Sequence, residues 1–272
     1  MRQLTWFNAT SLTLGFAFLY IPMIIVVIYS FNASKLVTVW GGFSTKWYGE
    51  LFQNEAFLDA AWVTFKVGFA SSIIATVLGT MGAYVLVRGG RFYGRTLFSG
   101  MIYAPLVMPE VITGLSLLLL FISIGLDRGM FTIVLAHATF SMCYVSVVVS
   151  SRLVSFDRSV EEAALDLGCT PFEAFRLVTL PIIAPAVISG WLLALTLSLD
   201  DLVIASFVAG PSATTLPIKV FSSIRLGVSP EINALSTILI GLVTIGTIAA
   251  SLTTKRAVMR RQREAQLADQ MS

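Results

Sequence analysis

Ser159-Val160-Glu161-Glu162-Ala163-Ala164-Leu165-Asp166-Leu167-Gly168-Cys169-Thr170-Pro171-Phe172-Glu173 lies between two long runs, 129–151 and 177–199, that carry no charge at all. Ser159 and Glu162 have the S-x-x-E form. In that form the hydroxyl can accept from the Glu162 amide, and the carboxylate can reach back to the start of the helix. Gly168 predicts a stop, because glycine enters the left-handed region without steric cost. Thr170 to Glu173 repeats the box, with Pro171 at the first helical position, where no amide partner is lost. The connection 152–179 therefore predicts two short capped helices end to end, and Leu180-Pro181 opens a further one. A connection that only joins helices needs no caps. Here Ala163 and Ala164 permit close approach and Glu161, Glu162 and Asp166 supply charge, as suits docking into a groove on a cytoplasmic partner.

Outward from this segment the chain is apolar. Of its 272 residues, 56% are hydrophobic and 12% are charged, with a mean hydropathy of +0.85. A soluble domain carries about 25% charged residues, so this chain lacks the polar coat that water requires. An all-α membrane protein is expected. Spans of roughly 20 apolar residues fall near Leu12–Phe31, near Val67–Val87, over about Thr96–Leu126 interrupted by Glu110, and between Arg128 and Arg152. A fifth covers about Pro181–Val208 with Asp200 and Asp201 inside it, and a sixth lies between Glu231 and Lys255. The first run is too long for a signal-peptide core and no A-x-A-like site follows it, so it reads as a retained helix.

Lysine and arginine set the orientation. Arg2, Arg88, Arg91, Arg95, Arg152, Arg158, Arg176, Lys255, Arg256, Arg260, Arg261 and Arg263 fall on one side, twelve of the 18. Lys35, Lys46, Lys66, Arg128, Lys219 and Arg225 fall on the other. The majority side is cytoplasmic, which puts both termini inside together with the connection 152–179 and a basic tail, 255–272. The outer loop from Asn32 to Trp62 holds Trp40, Trp47, Tyr48 and Trp62. It reads as an interfacial aromatic belt, with a short surface helix or a docking face as alternatives. The net charge of +3 sits at membrane edges and does not indicate nucleic acid. Two cysteines and one histidine make neither a disulfide framework nor a metal site.

Acidic residues inside spans are costly, about 2.5–3.5 kcal/mol each at a helix centre. Asp200 and Asp201 are candidates for contact with a passing solute. Successive helical residues point 100° apart, so one can face a passage while the other bonds to a neighbouring helix, with Thr196 and Ser198 nearby. Glu110 follows Pro105 and Pro109, where the helical ladder breaks and shielding by protein or water is needed. Trp191 and Phe207 on the fifth span offer aromatic faces to a cation. His137 reads as a helix–helix hydrogen bonder. Ala75, Gly79, Gly82 and Ala83, with Gly241 and Gly246, suit close helix packing. Nothing in the sequence pairs a nucleophile with a base.

Glu162-Ala163-Ala164, then Gly168, then Val178-Thr179-Leu180-Pro181 resembles the E-A-A loop of bacterial ABC-importer permeases, with Val178 where that family usually has isoleucine. Ser198-Leu199-Asp200-Asp201, Gly210-Pro211, Leu216-Pro217 and Ser229-Pro230-Glu231-Ile232-Asn233-Ala234 resemble the polyamine (spermidine/putrescine) branch, and within it the second putrescine permease subunit. The resemblance implies a six-transmembrane-helix type I importer permease (MetI-like) in the bacterial inner membrane, with residues 1–272 as one permease domain. It implies that Glu162, Ala163, Ala164, Gly168, Leu180 and Pro181 couple to an ATP-binding subunit. It further implies a heterodimer with a second permease, two ATP-binding subunits that hold ATP and magnesium, and a periplasmic polyamine-binding protein. The chain has no Gly-Lys pair, hence no phosphate loop, and its motor is expected on another protein. A proton- or ion-coupled secondary transporter is the rival reading, but such folds carry two similar halves that are not visible here.

Overall fold

The computed structural model describes residues 5–36, 39–227, 229–246 and 248. These residues are helical apart from their connections and one isolated antiparallel bridge between Asn32 and Phe43. The permease domain read from the sequence comprises two compact units, one from the chain ends up to Glu55 and from Ser223, the other Ala56–Ser222.

The end unit contains α1 (Trp6–Ser30) and α2 (Lys46–Gln53), and the apolar helix Pro230–Gly246. The aromatic loop is partly folded inward. Trp47 is 3% exposed and its indole N–H donates to the Asn32 carbonyl at 2.6 Å, while Phe31 stacks on Phe43. Trp47 is therefore a packing residue rather than part of a belt, and the short surface helix is present as α2. Asn54 donates to Glu231 at 2.9 Å.

The larger unit holds α3 (Glu55–Arg88), α4 (Arg95–Val107), α5 (Glu110–Ser123), α6 (Met130–Ser155), α7 (Ser159–Asp166), α8 (Pro171–Ala174), a π-turn (Phe175–Thr179), α9 (Leu180–Asp200) and α10 (Val203–Val208). A further helix, α11 (Leu216–Leu226), follows. At the centre is α6, which packs on α4, α5, α9 and α10. Of its most apolar window 67% is buried, against 0% for α1. Val145 of α6 lies where a Cβ on Gly79 of α3 would come within 2.7 Å of its own Cβ. The small residues expected in the second span therefore set how closely these helices approach.

Among the described residues four helices are long and apolar enough to cross a membrane, and α4 with α5 make a fifth if the bent pair is one span. The expected sixth span overlaps the shorter apolar helix Pro230–Gly246, which by itself does not reach the length of a span; residues 249–272, with the tail 255–272, lie outside the described residues. Three boundaries differ from the sequence reading. The second span begins a dozen residues early, so Lys66 lies inside α3, with its ammonium 5.1 Å over the Trp62 ring. The third is not one helix: α4 and α5 meet at 118°, because Pro109 holds Met108 in an extended conformation and Glu110 starts a new helix. The fifth ends at Asp200. Asp201 is extended (ψ 123°), which puts Phe207 on the separate helix α10.

Candidate functional site

The connection that follows α6 is the compact element the caps predicted, with two corrections. The Ser159–Glu162 box does not form. Asp157 accepts from the Ser159 amide at 3.0 Å, and Glu162 pairs with Arg158 at 3.1 Å on the exposed face. The amide first, and then the hydroxyl, of Ser159 hold the Asp157 carboxyl below its ordinary value. Nor is the second short helix separate. Leu180 donates to the Phe175 carbonyl across the π-turn, so α8 runs on into α9 and Pro171–Asp200 forms one 30-residue span.

The other two devices are present. Gly168 has φ +93°, Cys169 donates to the Ala164 carbonyl at 3.1 Å and Gly168 to that of Leu165 at 2.9 Å, the Schellman pattern. Glu173 donates its amide to Thr170 Oγ1 at 3.3 Å, and the Thr170 amide donates to the Glu173 carboxylate at 2.8 Å.

The element has two faces. Glu162, Ala163 and Gly168 point to solvent, among exposed apolar side chains headed by Leu167 (87%) and Phe172 (70%). Ala164 and Ala174 are buried beneath them. Pro181 is exposed and Leu180 half-buried at the opening of α9.

Sequence reasoning missed the inward residue. Glu161 is buried. Its Oε2 is 2.8 Å from Arg88 Nε, and its Oε1 accepts from Thr179 Oγ1 at 2.7 Å. Arg88 also donates to the Phe156 carbonyl at 3.2 Å. A cavity of about 100 Å³ lies alongside, lined in part by Tyr84, Arg88, Glu161 and Thr179. No local sequence signal marks it: Glu161 shares a helical face with Ala164, three residues on, but the burial of Ala164 is itself a structural finding.

Deeper in the unit lies a chain of polar side chains. Ser71 donates to Ser198 at 3.0 Å, and Ser198 Oγ lies 2.6 Å from His137 Nδ1. His137 Nε2 is 2.9 Å from Asp201 Oδ2, and Asp201 accepts from the amides of Ile204 at 3.2 Å and Ala205 at 2.8 Å. Asp201 thereby caps α10, and His137 joins helices as expected. Thr196 instead bonds within its own helix, to the Leu192 carbonyl.

The structure thus groups a serine, a histidine and an aspartate that the sequence did not pair. Ser198 is 4% and His137 2% exposed, so no substrate carbonyl can reach the hydroxyl, and the group ties helices together. The other candidates have separate settings. Asp200 is exposed at the end of α9, and Glu110 is exposed at the break before α5. Trp191 meets Phe69 edge-on at 6.2 Å. Phe207 lies against Gly114 of α5. Among the described residues no three His, Cys, Asp or Glu side chains converge as metal ligands.

Apolar spans broken at acidic positions, with a capped two-faced element at the end of one of them, define a multi-span membrane protein of the permease class. The chain belongs to the binding-protein-dependent transport system inner membrane component family, whose model matches residues 75–263. That stretch contains the capped element and, apart from Ser71, the polar chain. The putrescine transport system permease protein PotI of Escherichia coli (strain K12) is 59% identical over 263 residues, 94% of each chain. The spermidine/putrescine transport system permease protein PotC of the same strain is 43% identical over 241 residues, 89% of this chain and 91% of that one.

Among solved structures, a subunit of a bacterial ABC transporter that imports the acidic polysaccharide alginate aligns with a TM-score of 0.71 at 18% identity. The match covers 91% of this chain and 94% of that one. The MetNI methionine ABC transporter aligns with a TM-score of 0.60 at 17% identity, over 74% and 95%. The fold is that of type I (MetI-like) ABC-importer permeases. The chain is a transport component of the bacterial inner membrane and not a catalytic one, and ATP hydrolysis belongs to a separate subunit.

Proposed function

We propose that this chain forms half of the passage of an ATP-driven importer of polyamines, putrescine first and spermidine second. The single observation that carries the substrate class is the 59% identity, over 94% of both chains, to a putrescine permease. The chemistry agrees. A diamine carries two ammonium groups that need carboxylates or aromatic faces to replace water. Asp200 is the acid left exposed at the end of α9, whereas the Asp201 carboxylate is occupied by α10 and His137. Asp200 therefore takes the pathway role, with Glu110 at the α4–α5 break as a second contact.

The remaining parts follow the same reading. A second permease completes the passage, and a periplasmic polyamine-binding protein delivers the solute. Two ATP-binding subunits hold ATP and magnesium. Their cleft receives the exposed face of α7 at Glu162, Ala163 and Gly168, continued by Phe172, and Leu180-Pro181 leads into the span. Both termini lie in the cytoplasm.

The test is uptake of radiolabelled putrescine by the reconstituted complex, with unlabelled putrescine or spermidine as competitor. Strictly ATP-dependent uptake, competed more strongly by putrescine, is expected. Uptake sustained by a proton gradient without ATP would overturn the motor assignment. Indifference to both amines would overturn the substrate.

A further inference from the structure

Glu161 and Glu162 are adjacent on α7, yet the first is buried and the second exposed. Glu162 is exposed, paired with Arg158 through side chains that are 60% and 63% accessible. Water screens such a pair, and it holds little. Glu161 is enclosed. Its side chain and that of Arg88 are 10% and 11% accessible. Arg88 is the last residue of α3, and it also holds the Phe156 carbonyl, which follows the last residue of α6. Thr179, the remaining donor to Glu161, immediately precedes α9. One carboxylate and one guanidinium thus tie α7 to the ends of three long helices.

We infer that Glu161, clamped by Arg88 and Thr179, is the positioning residue through which displacement of α7 reaches α3, α6 and α9. The inference rests on the docking of α7 against the ATP-binding subunit. A buried ion pair is stiff in this role, because separating it strands a charge in low dielectric. When α7 moves, the pair resists opening and the helix ends are carried with it. The guanidinium fork of Arg88 contacts Glu161 through Nε and donates through a second nitrogen to the Phe156 carbonyl, so one planar group joins α7 to the ends of α3 and α6. Glu162 then contributes to docking, and Glu161 to transmission.

The experiment uses the full complex in proteoliposomes and reads three quantities for each variant: co-purification of the ATP-binding subunits, ATP hydrolysis, and putrescine uptake per ATP. Glu161→Gln keeps the size and the acceptor for Thr179 but removes the charge. It should leave the ATP-binding subunits attached and hydrolysis running, while uptake per ATP falls about tenfold, a usual magnitude for coupling between two sites. The exchange Arg88→Glu with Glu161→Arg should restore part of the loss.

Normal uptake per ATP in Glu161→Gln would overturn the inference. Release of the ATP-binding subunits by Glu161→Gln would assign Glu161 to docking and overturn it equally. If Glu161→Gln does not accumulate in membranes, Arg88→Lys carries the same test, since it keeps the charge and loses the fork. Leu167→Glu on the exposed face separates the two readings. If it neither detaches the motor nor changes uptake, α7 is not the docking element. If it detaches the motor while Glu161→Gln pumps normally, only the transmission role falls.

Discussion

His137 Nε2 stands 2.9 Å from Asp201 Oδ2, and the same carboxylate receives the first amides of α10. One residue thus ends α9, starts α10 and joins both to α6. Asp201→Ala removes a helix cap and the carboxylate that faces the buried imidazole across 2.9 Å, a loss of about 2 kcal/mol. The midpoint of thermal unfolding of the detergent-solubilised protein should fall accordingly. An unchanged midpoint would remove the structural role.

Asp200→Asn should behave in the opposite way. Its side chain is exposed, so stability and assembly with the motor should be unchanged. Uptake should fall by about tenfold, the worth of one hydrogen bond to a charged group. Wild-type uptake in this variant would discard Asp200 as a pathway contact.

Much of this was legible because charge and proline report directly on backbone. Runs without charge marked the spans, Pro109 marked the break before Glu110, and Gly168 marked a stop. Side-chain direction was harder. Asp200 and Asp201 would point 100° apart only in a continuing helix, but α9 ends at Asp200 and the phase is lost. Ser198 and His137 are 61 positions apart, and no local pattern connects them. The Ser159–Glu162 box failed because Asp157, two residues upstream, competes for the same amide with a full charge. Glu161 and Glu162 look alike in sequence, and only the burial of Ala164 tells which faces inward.

Gly79 and Gly82 lie one helical turn apart on α3, yet they should respond differently to alanine. A Cβ on Gly79 would meet the Met142 carbonyl at 2.6 Å and Val145 Cβ at 2.7 Å. Neither can retreat without moving α6, so Gly79→Ala should cost about 2 kcal/mol by overpacking. At Gly82 the obstacle is Ile102 Cδ1 at 2.7 Å, the far end of a flexible side chain. There the strain is relieved by rotation, and the gain in helix propensity of about 0.5–1 kcal/mol offsets it. Thermal midpoints of the two variants check this, and equal losses would refute the difference.

Gly168 carries the last prediction. Its φ of +93° lies where a Cβ crowds the backbone, while open space surrounds the position itself. Any loss in Gly168→Ala is therefore conformational and not steric contact with a neighbour. Alanine should cost about 1–2 kcal/mol locally, enough to open the Schellman bonds from Gly168 and Cys169 to Leu165 and Ala164. Those bonds fix the end of α7 from which Leu167 projects. The variant should insert normally and keep its spans, yet retain less of the ATP-binding subunit on purification. Asn, which tolerates left-handed backbone better than alanine, should retain more of it. If alanine and asparagine bind the motor equally well, the turn at Gly168 does not set the docking geometry.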